Sequence, residues 1–451
     1  MTTDSTSNPA NDERPVLLVA YSCEPGRGGE PGIGWNAAIE TARHRPVWLI
    51  VHPDHRGPLD QGIAEHNRRG EGFPIAVRYV AARPMCRAIG RLGYFGVNVC
   101  YYGWIREVGR EAVRLHREVG GFALAQHVSL CRWWMPTPAM ALAEHGVPFL
   151  WGPVAAGETL PRGYRRGIGL KNHLTELGRR VARGVFSLDP ALARCARDAH
   201  AGIAEPEETA ERLRGLGCRV VERAATRPAD PAMMEAVVPM PKPAGTFRIV
   251  SGGGLSYWRG VDQAVRAFAE AFAQDPSVEY VHVCDGEFAD RVRREAERLG
   301  VAARVTLTGD MPHVDTLRWV ASADVYCLPT LRDTGGHLFE ALSAGVPCVV
   351  SDHLTPRAVV DETCGLRVPV GEEPATFVRG LADAMRRLRQ DDALRARLSK
   401  AARVRAGQLD RQHWGDRLRS LQARAIADAV AVPSRQIRPS RSAVVRAAAA
   451  V

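Results

Sequence analysis

The hydrophobic positions of this chain form short apolar runs separated by longer stretches with helical spacing. From Pro15 onward the runs are rich in β-branched residues, and each leads through turn residues into a segment whose apolar positions recur every three or four residues. This alternation predicts a parallel β-sheet covered by helices on both faces. The runs in the first half are VLLVAY, VWLIV, IAVRYV, FALAQHV and PFLWGP.

The alternation restarts after a segment rich in proline and glycine at residues 238–246. We therefore predict an α/β fold of two facing, doubly wound Rossmann-like domains with a cleft between them, comprising residues 15–240 and 241–418. The last helix is expected to cross back onto the first domain within residues 419–451. The end of that segment and residues 1–14 are predicted to be disordered, because they offer little to bury.

The charge of the chain narrows the class of ligand. Lys and Arg number 60 against 50 Asp and Glu, which gives a net charge of +10. Such a charge suits a nucleic acid, a membrane surface or a phosphorylated small molecule. The basic residues are spread along the chain without a nucleic-acid-binding motif, so a phosphorylated ligand is favoured and no nucleic acid is expected.

The cysteines and the N-terminal residues indicate a cytoplasmic protein. The ten cysteines are scattered without C-x-x-C spacing, and the N-terminal sequence MTTDSTSNPANDER is too polar for a signal peptide. No run of about 20 apolar residues predicts a membrane span. The amphipathic segment 84–121 leaves a peripheral contact at the inner membrane face open, although an ordinary core helix with an exposed basic face is favoured.

Two glycine-rich loops follow the first strand of each predicted domain. Gly28 and Gly29 lie in SCEPGRGGEPGIGW, which predicts an anion site at a helix start but does not have the dinucleotide-binding spacing. A tight turn without a ligand is the alternative there. Gly254 and Arg259 lie in IVSGGGLSYWRGVDQ, where the arginine can offer a forked, permanently charged donor set to a diphosphate.

A third loop, in TLRDTGGHLFEALSAGVPCVVSDH, carries two carboxylates. The pattern predicts a buried strand, a turn and a short helix over residues 337–344, with bare N–H groups where a phosphate would fit. Asp333 lies in the turn and Glu340 on the helix. A phosphate would repel both acids, so we expect them to accept hydrogen bonds from neutral hydroxyl groups on either side of it.

This third loop resembles the nucleotide-sugar signature of the retaining family 4 glycosyltransferases, members of group 1 with the GT-B fold. The stretches SCEPGRGGEPGIGW, RWWMP and GVPFLWGPVAAGE are similar to a branch associated with polysaccharide and natural-product glycosylation. The resemblance runs roughly from Pro15 to Leu418. It implies a hexosyltransferase that uses a nucleoside diphosphate sugar as co-substrate and needs no other cofactor.

The resemblance implies a role for each matching residue. Glu340 would hold the ribose hydroxyls, and Arg259 stands where the family keeps a phosphate-binding lysine. The family's first glutamate falls on Arg332, so the neighbouring Asp333 is the candidate for the sugar hydroxyls. Gly254 replaces the family's usual arginine. The implied catalytic residues are His127, Asp333 and Glu340, and the implied donor-binding residues are Gly28, Gly29, Gly254, Arg259, Gly335, Gly336, His337, Leu338 and Glu340.

The predicted function is transfer of a sugar, with retained anomeric configuration, to a hydroxyl of a sugar, a lipid-linked sugar or a small molecule. No D-x-D motif stands at a strand end in the site, so no metal is expected. Two alternatives remain open: a nucleotide-sugar epimerase of the same fold, and a glycosyltransferase-like binding subunit that has lost catalysis. The second is motivated by Gly254 and Arg332.

Overall fold

The computed structural model describes residues 14–83, 89–90, 93–155, 160–225, 227–332, 335 and 337–431. These residues form two β-sheets in which all paired strands run parallel. Helices cover both sheets, as the alternating hydrophobic pattern predicted. The predicted α/β fold of two Rossmann-like domains is confirmed.

The first sheet has the strand order β3-β2-β1-β4-β6-β7-β8, with β5 paired to β6. The order reverses between β1 and β4, where Val16 is in register with Leu124. Its strands are β1 (Val16–Ala20), β2 (Val47–Val51), β3 (Ile75–Tyr79), β4 (Leu124–Ser129), β5 (Cys131–Arg132), β6 (Phe149–Ala155), β7 (Ala201–Ala204) and β8 (Val221–Arg223).

The second sheet has the strand order β11-β10-β9-β12-β13-β14 and reverses between β9 and β12. The segment 238–246, where we placed the domain boundary, lies between the two sheets. The strands are β9 (Phe247–Gly252), β10 (Val278–Val283), β11 (Val305–Leu307), β12 (Val325–Leu328), β13 (Cys348–Ser351) and β14 (Gly365–Val368).

The α-helices alternate with the strands along both domains. In the first domain they are α1 (Gly29–Ala42), α2 (Arg56–Arg69), α3 (Gly93–Glu118), α4 (Leu170–Ser187), α5 (Pro190–Asp198), α6 (Glu207–Gly215) and α7 (Pro231–Glu235). The others are α8 (Val261–Phe272), α9 (Ala289–Arg298), α10 (His313–Ala321), α11 (Leu338–Ser343), α12 (Leu354–Val359), α13 (Pro374–Gln390), α14 (Asp392–Gln408) and α15 (Arg411–Ala431).

The strands are apolar because both faces of each sheet are covered. Every residue of β1 and of β9 is buried, and neither strand alternates between apolar and polar positions as a half-exposed strand would. Each sheet has a hydrophobic cluster on either side. This layering leaves the carboxyl ends of the strands as the edge where loops carry polar side chains.

The chain passes between the two domains more than once. Leu160, Tyr164 and Ile168 pack in a hydrophobic cluster of the second domain. The last helix, α15, packs on the first domain, where Gln422 Nε2 donates to Gln126 Oε1 at 3.0 Å. Next to it, Ala229 forms a parallel bridge with Asp410, so the two later crossings lie side by side.

Candidate active site

The glycine-rich loops follow the strands at which each sheet order reverses. Gly28 and Gly29 come after β1, and His127 lies near the end of β4, the neighbour of β1. Gly254 and Arg259 come after β9, and the loop that leads to His337 comes after its neighbour β12. Such reversal points, beyond the carboxyl ends of the strands, are where open α/β sheets bind ligands.

In the second domain, glycines let two side chains approach the end of β9. Gly253 has a φ of +105°, and a Cβ atom built on it would lie 2.8 Å from Cζ of Arg259. A Cβ atom on Gly252 would lie 2.6 Å from Nδ1 of His337. These positions therefore require glycine, and the Arg259 guanidinium and the His337 ring lie over the strand end.

His337 directly precedes α11 and is neutral in the folded protein. Burial lowers its pKa to about 4, although the nearby Glu340 carboxylate opposes that shift. Its backbone N–H donates to Tyr326 Oη at 3.1 Å, and the Leu338 N–H donates to the Gly335 carbonyl oxygen at 2.7 Å. Two of the amides that we expected to face a diphosphate are therefore bonded to protein groups in this structure.

Glu340 is buried on α11 and forms a two-point ion pair with Arg227. The distances are 2.5 Å from Nη1 to Oε1 and 2.9 Å from Nη2 to Oε2. Burial disfavours the charged carboxylate, but the charge and hydrogen bonds of Arg227 outweigh it and lower the pKa of Glu340 to about 2. Glu340 is therefore an ionised hydrogen-bond acceptor throughout the neutral pH range.

Arg227 was not identified from the sequence. It lies in the loop after β8, 113 residues before its partner, and its guanidinium also covers the ring of Phe339 at 4.7 Å. An isolated arginine in an irregular segment carries no spacing signal. The pairing of Arg227 with Glu340 could not be predicted from the sequence, because the two residues meet only when the folded chain brings this loop next to α11.

Arg332, which stands at the position of the family's first glutamate, is also buried in an ion pair. Its guanidinium pairs with Glu176 of α4 and stacks on the Trp258 ring at 4.4 Å. Tyr257 Oη donates to the same Glu176 carboxylate. Asp333, our candidate for the sugar hydroxyls, and Gly336 lie outside the described residues.

The first-domain candidates differ in exposure. Gly28 and Gly29 are exposed at the start of α1, and nothing lies within 4 Å of where their Cβ atoms would be. His127 is almost completely buried, with Nε2 3.4 Å from Tyr101 Oη. Burial lowers the pKa of His127 to about 3, so its ring is neutral. The Leu130 N–H donates to Glu30 Oε2 at 2.7 Å, which joins the glycine loop to the end of β4.

Gly254 is exposed and has room for a side chain. The nearest atom to a Cβ built on it is the Asp285 carbonyl oxygen at 3.7 Å, an ordinary van der Waals distance. The structure thus places Gly254, Arg259, His337 and Glu340 around the ends of two adjacent strands. Among the residues that the structure describes, no group of three or more His, Cys, Asp or Glu side chains is arranged to hold a metal ion.

The fold and this arrangement define a class of protein. Two facing, parallel-sheet Rossmann-like domains form the GT-B architecture of glycosyltransferases, and the chain has that architecture. Residues 238–405 match the family model for group 1 glycosyl transferases. The matched stretch is less than half of the chain and contains Gly254, Arg259 and Glu340. It supports a group 1 glycosyltransferase.

Curated relatives match part of the chain. A phosphatidyl-myo-inositol mannosyltransferase of Mycobacterium tuberculosis is 32% identical over 158 residues, which is 34% of this chain and 40% of that protein. The lipopolysaccharide core biosynthesis glycosyltransferase LpsD of Rhizobium meliloti is 29% identical over 202 residues, 43% of this chain and 54% of that protein. The chain thus spans about half the length of these relatives.

Solved structures match nearly the whole chain in fold. HepE from Anabaena, crystallised with UDP, superposes with a TM-score of 0.59 at 16% identity and covers 90% of this chain and 98% of its own. Sucrose-phosphate synthase from Thermosynechococcus elongatus has a TM-score of 0.65 at 17% identity and covers 92% and 100%. At these identities the likeness establishes the fold.

Proposed function

We propose that this protein is a retaining glycosyltransferase that moves a hexose from a nucleoside diphosphate sugar to an acceptor hydroxyl. The observation that carries the proposal is the placement of Arg259, His337 and Glu340 around the ends of β9 and β12. A guanidinium, a neutral imidazole and a buried carboxylate there suit a diphosphate, a sugar and a ribose. The family match of the same domain supports this assignment.

In this proposal Glu340 binds the ribose of the donor. An ionised carboxylate has about four acceptor positions, and the two-point contact with Arg227 uses two of them. The remaining positions suit the two hydroxyls of a ribose, which are donors. Because the pKa of Glu340 is about 2, the carboxylate is ionised near neutral pH and can only accept hydrogen bonds from these hydroxyls.

Arg259 supplies the electrostatic stabilisation of the leaving group. Negative charge develops on the diphosphate as the glycosidic bond breaks, and a fixed guanidinium at the strand end stabilises that charge without reorganising. The acceptor then attacks from the face that the diphosphate leaves, and the departing phosphate takes the acceptor's proton. Glu340, Asp333 and His127 position the donor in this scheme, and no metal or further cofactor takes part.

The acceptor class is proposed from the names of the relatives. They act, by those names, on phosphatidyl-myo-inositol and in lipopolysaccharide core biosynthesis, and an alpha-D-kanosaminyltransferase of Streptomyces kanamyceticus is 27% identical over 169 residues. We propose a sugar or lipid-linked acceptor in glycolipid or polysaccharide synthesis, with a natural-product acceptor as the alternative. The donor nucleotide to be tested first is UDP, which HepE binds in its crystal structure.

Thermal-shift measurements with a panel of nucleotide sugars test the donor site. We expect one donor to raise the Tm of the wild type and of the control Glu297→Gln, whose carboxylate is exposed on α9. The same donor should leave the Tm of Glu340→Gln unchanged, because the amide replaces one acceptor oxygen by an NH2 donor and has no negative charge to hold Arg227 and the ribose hydroxyls together. An equal shift in all three proteins would contradict the assignment of Glu340.

Product analysis with the donor so identified tests the reaction. Nuclear magnetic resonance should detect a glycoside with the anomeric configuration of the donor when sugar or lipid-linked acceptors are added, also in the presence of a chelator. A new nucleotide sugar formed from donor alone would identify an epimerase instead.

A binding subunit without catalysis is the second candidate, and the Arg332–Glu176 pair favours it. At the position where the family keeps an acid, this chain has the buried Arg332, whose positive charge is balanced by the Glu176 carboxylate of α4. Donor binding in calorimetry, without turnover against any of the acceptors tested, would favour this candidate over the transferase.

A further inference from the structure

One face of α4 exposes a continuous row of large apolar side chains. Their fractional exposures run from 48% to 82%. The spacing of three or four residues places all of them on one side of the helix. The row consists of Leu170, Leu174, Leu177, Val181 and Val185 of α4 and of Leu188, which directly follows the helix.

The opposite face of the same helix already holds it to the protein. Glu176, Ala182 and Phe186 are buried there, and Phe186 packs against the rings of Tyr102 and Trp134. The helix is therefore anchored without its apolar row. The row does not contribute to the hydrophobic core of this chain. Exposed apolar patches of this kind mark interaction surfaces, so we expect a partner to cover it.

The neighbouring helix α3 also exposes apolar side chains. Phe95 and Val97 at the start of α3 are exposed, and the ring centroid of Phe95 lies 6.3 Å from that of Phe186. The inner face of α3 is buried, which agrees with the prediction of a core helix in segment 84–121. We call the row on α4 the α4 apolar face.

The charges around the α4 apolar face are positive. Arg166, Lys171 and Arg180 are exposed beside it, and Lys171 also pairs with Glu287 of the second domain. Between residues 166 and 188 the only acidic side chain is Glu176, which is buried on the inner face and paired with Arg332. An apolar stripe edged by cations complements a surface of acyl chains beneath anionic headgroups.

We propose that the α4 apolar face docks on an anionic lipid bilayer, with α4 lying in the plane of the interface. No helix among the described residues is long and apolar enough to cross a membrane, and docking needs none. A second copy of the chain fits less well, because antiparallel pairing of two such helices would bring their cations together. The proposal goes beyond the glycosyltransferase assignment, since vesicle binding is measured without any donor.

Vesicle co-sedimentation tests the docking surface. We expect the wild-type protein to sediment with vesicles of phosphatidylcholine and phosphatidylglycerol, and much less with phosphatidylcholine alone or at high salt. The triple variant Leu174→Gln, Leu177→Gln and Val181→Gln should bind roughly tenfold more weakly or worse, because it removes apolar area from the interface. Arg180→Gln should weaken binding only to the anionic vesicles.

A matched control separates this surface from exposed apolar residues in general. The triple variant Val238→Gln, Val314→Gln and Val404→Gln also replaces exposed side chains and should bind like the wild type. Equal binding of both triple variants, or equal binding to neutral and anionic vesicles, would overturn the proposal. A wild-type dimer that the α4 variant dissociates, with no vesicle binding, would assign the face to a second copy and overturn it as well.

Discussion

At the scale of single residues, the site combines positions that the sequence identifies with positions that it cannot. Gly254 and Arg259 are recognisable because they stand in a glycine-rich loop after an apolar run, and Glu340 because its helix follows another such loop. The buried charges that meet across the site are not recognisable: Arg227, which pairs with Glu340, and Glu176, which pairs with Arg332, each lie more than 100 residues from their partner in the chain. The pairing of two buried charges depends on which loops meet in space, and local spacing contains no information about that.

Gly254→Arg is expected to strengthen donor binding. The position is exposed, is not restricted to glycine by its φ, and has no atom closer than 3.7 Å to the added Cβ. A second guanidinium near Arg259 would add a charge-assisted contact to the diphosphate, so we expect the Kd of the donor to fall roughly tenfold. Isothermal titration calorimetry with the donor found in the thermal-shift panel measures this change.

Gly253→Arg is the matched control for that substitution. The neighbouring glycine has a φ of +105°, and its added Cβ would lie 2.8 Å from the Arg259 guanidinium carbon. This variant should displace Arg259 and weaken donor binding. If both arginine variants changed the Kd in the same direction, the proposed position of the diphosphate beside Gly254 would be wrong.

At the scale of the elements, apolar runs predict strands well where the strands are buried and β-branched. The runs VLLVAY and VWLIV correspond to β1 and β2, and the sequence ADVYCLPT at residues 323–330 contains β12. The shorter strands β7, β8 and β14 are not distinct in the pattern. The strand β8 has the sequence VER and lies at the edge of its sheet, where it is partly exposed to solvent. It therefore contains no hydrophobic run from which it could be predicted.

The docking of α15 on the first domain is expected to contribute several kcal/mol to stability. Leu421 and Ile426 are buried against the first sheet, whereas Val430 on the same helix is exposed. Leu421→Ala should lower the free energy of unfolding by about 2–5 kcal/mol, as expected for a buried leucine. Urea denaturation measures the loss. Val430→Ala should change the free energy of unfolding by less than about 0.5 kcal/mol. A loss as large as that of Leu421→Ala would mean that α15 packs differently.

At the scale of the whole molecule, buried ion pairs join the two halves of the chain. Glu340 of the second domain pairs with Arg227 of the loop that ends the first, and Arg332 pairs with Glu176 of α4. Each charge has lost its water, so each pair stabilises only as long as both partners remain charged. Acid should therefore weaken the association of the two halves.

The pH dependence of stability should reveal the contribution of Glu340. Its pKa falls from 4.5 to about 2 on folding, so its stabilisation is complete above pH 4.5 and is lost as the pH falls toward 2. We compare the free energy of unfolding of the wild type with that of Glu340→Gln. The advantage of the wild type should be about 3 kcal/mol larger at pH 6 than at pH 2. Urea denaturation across this range gives the difference. Glu65→Gln, which breaks an exposed pair with Arg69, should show a much flatter profile, and a flat profile for Glu340→Gln would refute the prediction.

The side-by-side crossings at Ala229 and Asp410 limit how the cleft can open. The Ala229 N–H donates to the Leu409 carbonyl oxygen at 2.7 Å, so two of the segments that join the domains are tied to each other. We expect rotation of one domain against the other to turn about an axis near this bridge. Arg227 stands two residues from this bridge, so we expect it to move less than the rim of the cleft and to keep the Glu340 carboxylate oriented when the domains rotate.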